Sequence, residues 1–304
     1  MNQTVVQLRR AREGGARSWC PRGWGWVCLS ALLLWGDASA ADKVTGVLLV
    51  RDALTAPNQP VRIEARLTQQ GLLTDAPLGG EPLQLEIDGK PVATAMTGGD
   101  GKAYFEYTPK TRGISVATVS VKDSPRVDAA AGTATVFVWE HRRPILVVEV
   151  AALMVRTESP STGLPPLPLG KGPEPLQSPL PDAAEELARL TQYYYNVLYL
   201  VLSERGSSRP ERLQEVRKWL DTNKFPPGYL LGAAGSSAAV GALLDQLKQD
   251  GWTTLKSGVG RTRSFAEAFL ERRMEVVMVP EPPKGELPRK AKAAADWKDV
   301  RKKL

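Results

Sequence analysis

The chain has 304 residues, 42% of them hydrophobic and 24% charged, with a formal net charge of +7. That is a globular composition, long enough for two domains, and it excludes a disordered or collagen-like chain. A single histidine, His141, argues against a histidine-based metal site and leaves at most one residue for the base of a catalytic triad.

Residues 1–40 read as an export signal. Arg9, Arg10, Arg12, Arg17 and Arg22 form a basic start, an apolar stretch runs from Trp24 to Trp35, and "ASA" ends at Ala40. The apolar part is shorter than the roughly 20 residues needed to span a bilayer. The competing reading is an anchor that is kept. Both cysteines, Cys20 and Cys28, lie here, so the expected mature chain has no disulfide and no cysteine metal site. The expectation is therefore an exported protein: periplasmic, secreted or at the cell surface. Beyond Ala40 there are 35 basic and 31 acidic side chains, and from Glu281 onward eight and four. The positive excess thus sits in the C-terminal tail, which argues against a nucleic-acid partner.

Residues 43–140 have the texture of strands. "VTGVLLV", "PVRIEARLT", "EPLQLEI", "AYFEYT", "ISVATVSV" and "TATVFVW" are rich in β-branched and aromatic residues, and most alternate with period 2. "APNQ", "DGKP", "GGDG" and "KDSPR" between them are turn signals. Short strands at this spacing predict a β-sandwich. The pattern resembles bacterial immunoglobulin-like domains of cell-surface proteins.

From Arg143 the texture changes. Apolar runs "PILVVEV", "NVLYLVL", "GYLLGA", "WTTLKSG" and "MEVVMVP" alternate with amphipathic stretches. In these, Leu187 and Leu190, then Leu213, Val216 and Leu220, recur at helical spacing. Such alternation predicts an α/β three-layer, Rossmann-like parallel sheet over residues 143–280. A Pro-rich insertion at 158–181 interrupts its first crossover. Residues 281–304 read as a linker and a basic helical tail. The expected fold class is thus two-domain, an all-β immunoglobulin-like sandwich followed by a Rossmann-like domain.

Within residues 143–280 several phrases resemble the haloacid dehalogenase (HAD) superfamily of phosphatases, in its lipin- or phosphatidate-phosphatase-like branch. "PILVVEVAALMV" stands where such enzymes carry D-x-D-G-T after an apolar strand. "YNVLYLVLSERG" is similar to the second motif, and "LLDQLKQDGW" to the helix after the third. "GVGRTRSFAEAF" is similar to G-x-G-D-x-x-x-D-x-x-A-F/Y, with its glycines, Ala266, Ala268 and Phe269 in step. In the family the first Asp forms an aspartyl-phosphate and the second is the general acid and base. The acidic fourth motif completes a Mg²⁺ cage.

The resemblance implies a degenerate site. Its nucleophile position is Glu149, its acid/base position Ala151, and its Gly-Thr pair Ala152 and Leu153. The second-motif hydroxyl falls on Val201, with Ser203 nearby. No lysine lies between Lys224 and Lys248, and the fourth-motif acids fall on Arg261 and Phe265. Misplacing a carboxylate by about 1 Å can cost about 100-fold, and losing the acid/base costs roughly 10²–10⁴ more. The expectation is a pseudo-phosphatase with no catalytic residue, metal or cofactor, in which either Arg261 forms a salt bridge to Glu149 in place of the ion, or Arg261 points into solvent and nearby backbone amides cap Glu149. The function expected is non-catalytic binding or scaffolding of a protein or other component of the cell envelope. The alternative is an atypical hydrolase of phosphate esters, with Glu149 as base and Ser236 or Ser237 at a helix start, where a cap is the commoner role. The basic tail could touch an anionic membrane or wall polymer, or pack on its own domain through Trp297, Val300 and Leu304.

Overall fold

The computed structural model describes residues 43–71, 75–155, 176–203, 209–283 and 285–304. The expected signal at 1–40 and most of the Pro-rich insertion lie outside the described residues. Among the described residues, no helix is long and apolar enough to cross a membrane.

The first half is a β-sandwich. Its strands are β1 (Val44–Val50), β2 (Ala53–Thr55), β3 (Val61–Gln69), β4 (Ala76–Pro77), β5 (Pro82–Ile87), β6 (Lys90–Met96), β7 (Lys102–Tyr107), β8 (Gly113–Val121), β9 (Val127–Ala129) and β10 (Gly132–Val138). One sheet runs β4-β3-β1-β9 with β7 beside β3, and the other runs β2-β10-β8-β5-β6. Both are mixed, because β1 pairs with β9, and β2 with β10, in parallel. Period-2 alternation turns Ile63, Ala65, Leu67, Leu83, Leu85 and Ile87 into the shared core. The "DG" turn between β5 and β6 has φ of 49° at Asp88 and 76° at Gly89. That double left-handed step matches the right-handed twist of a two-residue hairpin.

The second half is built on one sheet. Its elements are β11 (Ile145–Glu149), a 3-10 turn (Val150–Leu153), α1 (Ala183–Tyr193), β12 (Asn196–Ser203), α2 (Pro210–Thr222) and β13 (Tyr229–Ala234). They continue with α3 (Ser237–Gln249), β14 (Leu255–Gly260), α4 (Arg263–Glu271), β15 (Glu275–Met278), β16 (Lys292–Ala293) and α5 (Trp297–Lys303). The strand order is β13-β12-β11-β14-β15-β16, and every pair is parallel. Strand β11 is central and wholly buried, which is why its sequence is continuously apolar instead of alternating. Leu187, Leu190, Val216, Leu220, Trp297 and Val300 cover one face of the sheet. Val240, Leu244, Phe265 and Phe269 cover the other.

The expected fold class is corrected on two counts. Residues 42–304 form one compact unit, not two domains. Ala56, Phe137 and Trp139 of the sandwich share a core with Ile145, Leu198 and Leu244 of the second half. Phe137 and Trp139 are apolar on positions that an isolated sandwich would leave to solvent, and they supply the adhesion. Asp52, just before β2, pairs with Arg217 of α2 across the same seam. The chain is also β-rich, with mixed and parallel sheets and, among the described residues, five helices against sixteen strands. It is not a sandwich joined to a separate helix-rich Rossmann-like domain.

The tail is part of the fold. β16 extends the large sheet, and α5 lays Trp297 and Val300, each 0% exposed, onto it. The Trp297 indole N–H donates to the Ala152 carbonyl at 3.1 Å. Lys298 pairs with Asp182 at 2.9 Å, Arg301 with Glu186 at 2.8 Å and Lys292 with Glu275 at 3.3 Å. These cations are thus engaged within the chain.

Candidate functional site

Strands β11 and β14 are neighbours from which the chain departs in opposite directions, so their carboxyl ends mark the switch point of the sheet, the place where parallel sheets commonly bind ligands. Glu149, the last residue of β11, stands at this point and is 1% exposed. Its Oε2 accepts from the backbone N–H of Arg261 at 2.7 Å and of Thr262 at 2.9 Å. Thr262 is the N-cap of α4, its Oγ1 accepting from the Phe265 N–H at 3.3 Å. Glu149 therefore meets the positive end of α4, whose first amides lack partners within the helix. Its Oε1 is buried with no hydrogen-bond partner. Burial pushes the carboxyl above its ordinary value of 4.5, against the opposing pull of the Thr262 and Arg261 amides, of the Thr262 hydroxyl and of the Arg261 charge.

The expected salt bridge takes a different form. Arg261 holds Glu149 through its backbone N–H, while its guanidinium donates to the Met154 carbonyl at 2.5 Å. The guanidinium ties the end of the 3-10 turn to the end of β14, and it acts on Glu149 only as a nearby charge.

The other singled-out residues are packing residues. Val201 is 8% exposed, in the core of the sheet face under α1 and α2. Phe265 is 0% exposed and lies against Phe269 with ring centroids 4.6 Å apart. Ala151 accepts from the Met154 N–H, the Ala152 carbonyl holds Trp297, and the Leu153 carbonyl accepts from Leu180 at 2.7 Å. Ser203 ends β12, its carbonyl accepting from Gly235 at 3.0 Å. Ser236 is a cap, its Oγ accepting from the Ala239 N–H at 3.2 Å, with Ser237 beginning α3 behind it. His141 lies against Trp252, with ring centroids 4.5 Å apart, remote in the fold from Glu149. Among the described residues, no group of three or more His, Cys, Asp and Glu side chains could hold a metal ion.

No family model matches the chain, and no curated protein matches it. Solved structures do. A CARDB domain from Pyrococcus furiosus is 17% identical, covers 31% of this chain and 90% of its own, and has a TM-score of 0.23. Fibronectin(III)-like modules of CbhA from Clostridium thermocellum are 13% identical over 31% of this chain and 47% of theirs, with a TM-score of 0.24. A carbohydrate acetylesterase from Xanthomonas citri is 11% identical over 84% of this chain and 63% of its own, with a TM-score of 0.28.

The resemblance to HAD phosphatases is corrected: the β neighbours named are CARDB and fibronectin-like modules, and no family model matches the chain. The reason the fourth-motif phrase misled lies in packing. A Cβ on Gly258 would meet the Phe269 ring at 2.6 Å, and one on Gly260 would meet the Phe265 ring at 2.2 Å. The G-x-G followed by Phe265, Ala266, Ala268 and Phe269 is what a helix needs to lie closely on its preceding strand.

Sequence reasoning missed the Trp297 anchor to Ala152 and the Asp52–Arg217 seam. It also missed Glu81, which is 2% exposed and bound to Ser124 and Arg126 in the sandwich. A glutamate flanked by turn glycines at 79 and 80 gives no periodic signal that would mark it as buried.

Proposed function

We propose that the protein is an exported, non-catalytic binding or scaffolding protein of the cell envelope. The observation that carries this reading is the placement of Glu149. A general base or nucleophile must touch substrate, whereas this carboxyl is buried and is used to hold the Arg261 and Thr262 amides at the entry to α4. The hydroxyl of Ser236 is likewise taken up in capping α3. The surface offered to a partner is on the sandwich, where Ile114 and Val116, two apart on β8 and so on one face, are 49% and 50% exposed. The partner class is an envelope protein or other envelope component.

Two measurements test the reading. Protein beginning at Ala41 is incubated with a generic phosphate ester and a generic acetyl ester, with and without Mg²⁺. No turnover is expected, and turnover that disappears in Glu149→Gln would overturn the reading. In parallel, retention of envelope-extract components should fall in the double variant Ile114→Asp, Val116→Asp. Unchanged retention would move the binding surface elsewhere.

A further inference from the structure

The two oxygens of Glu149 are treated very unequally. Oε2 takes both amide hydrogens of the α4 entry, at 2.7 and 2.9 Å. Oε1 is sealed without a partner on a side chain that is 1% exposed. A neutral acid tolerates this arrangement, because its carbonyl oxygen accepts both amides and its uncharged hydroxyl is the group left without a partner. An ionised carboxylate shares its charge over both oxygens, and leaving one of them dry in the interior costs far more.

The surroundings supply little to offset that charge. On β12 the neighbours are Leu200, paired with Glu149, and Val201; the one titratable side chain there is Tyr199, whose hydroxyl donates to the Pro226 carbonyl. On β14 they are Val259 and Gly260, with Lys256 exposed at the opposite end of the strand. On α4 they are Phe265 and the capping Thr262. The charged residues of that helix, Arg263 and Glu267, pair with each other at the surface, and Glu271 is in its last turn. The 3-10 turn carries no charged side chain. Arg261 is the one nearby cation among the described residues, and its guanidinium is turned to Met154.

We propose that Glu149 is an acid-tightened latch: as the neutral acid it fastens the first turn of α4 to the end of β11, and loss of its proton loosens that turn. The sign follows from linkage. Burial raises the carboxyl in the closed state, while an opened α4 entry returns it to its ordinary value of 4.5. The closed state therefore holds the proton more tightly. The latch is complete below about pH 4.5 and weakens as pH rises toward the raised value in the fold. Above that value both states are ionised and the dependence ends. The device would make the carboxyl ends of β11 and β14 more accessible in neutral than in acid surroundings.

The test is amide hydrogen exchange on the full chain at residues 261 and 262, corrected for the intrinsic pH dependence of exchange. The opening constant should rise about tenfold per pH unit above 4.5 until it levels, while amides of the sandwich core, such as Leu85 and Val119, show no such rise. In Glu149→Gln, whose amide oxygen can still accept both N–H groups, the rise should vanish. A second readout covers a variant that folds poorly. The infrared carboxylic C=O band of the wild-type chain should persist well above pH 4.5 and fade in step with the opening of residues 261 and 262. A pH-independent opening constant overturns the proposal. So does an equal rise in wild type and Glu149→Gln, or a carbonyl band lost by pH 4.5.

Discussion

Glu81 of the sandwich and Glu149 of the parallel-sheet half are both buried and are held in opposite ways, while Glu186, the other buried glutamate of the parallel-sheet half, is paired with Arg189 and Arg301. Glu81 in the sandwich is 2% exposed; it accepts from the Ser124 hydroxyl at 2.5 Å and is paired with Arg126. Its partners come from the far end of the same half, 43 and 45 residues along the chain. Glu149 in the parallel-sheet half is 1% exposed and has two backbone amides, with no side-chain donor on Oε1. Backbone amides serve an acid or a carboxylate alike. Burial then decides between the two states of Glu149. Glu81 is thus held by side chains, and Glu149 by the backbone.

The largest change should come from removing the wall that keeps Glu149 dry. Phe265 is fully buried beside it, so Phe265→Ala should cost about 3–5 kcal/mol in urea unfolding. It should also let water reach the carboxyl and flatten the pH dependence of stability. Phe105→Ala, a comparable loss in the sandwich at 2% exposure, should cost about as much and leave that pH dependence intact. Equal pH behaviour of the two variants would remove the distinction between the halves.

Next comes the seam. Arg217 pairs with Asp52, donates to the Gly228 carbonyl at 2.8 Å and lies over Phe137. Its replacement by Ala should cost about 1.5–3 kcal/mol, the range for hydrogen bonds to charged groups. The wild-type chain should unfold in a single transition seen equally by near-UV signals of the Trp139–Trp252 contact and by far-UV signals of the strands. Two separated transitions would show that the halves fold independently after all.

Glycine positions give a sharper contrast. Gly260→Ala puts a methyl 2.2 Å from the Phe265 ring and 2.9 Å from Glu149, and overpacking of this kind costs about 1–3 kcal/mol. Gly99 in the sandwich has nothing within 4 Å of the same methyl and no left-handed φ. Gly99→Ala should stay within about 0.5 kcal/mol of wild type. Thermal melts of both variants at one pH suffice to compare them.

These residues also show what the sequence could and could not reveal. Alternation and "DG" turns made the sandwich strands readable, and helical spacing placed Leu187, Leu190, Val216 and Leu220 on the inner faces of α1 and α2. Those are local patterns. The merging of the halves rests on Phe137 and Trp139, which in sequence look like the end of one more strand. The candidate site was legible as a place, because one carboxylate in the apolar run at 145–150 has to be accounted for. Its chemistry stayed open between an Arg261 salt bridge and capping by backbone amides, because the partners of Glu149 are backbone amides, and amides leave no trace in residue identity. The G-x-G phrase at 258–260 carries the same lesson in reverse. Its spacing is real, and what it records is the fit of Phe265 and Phe269 against a strand.

The smallest expected effect isolates the charge from the packing. Glu149→Gln changes one atom, keeps the side-chain length and leaves a carbonyl oxygen to accept from Arg261 and Thr262. At pH 4.5 or below, where the wild-type carboxyl is neutral, the two proteins present nearly the same groups. Their stabilities should then differ by less than about 1 kcal/mol, the scale of one neutral hydrogen bond. As pH rises, the wild type alone gives up stability, because its unfolded chain ionises at the ordinary value of 4.5 while the fold retains the proton. The variant should therefore overtake the wild type at neutral pH, which makes the sign of the difference more telling than its size. Urea unfolding of both proteins at pH 4.5 and at pH 7.5 reads this directly. A variant less stable than wild type at the higher pH would mean that Glu149 works best as a carboxylate.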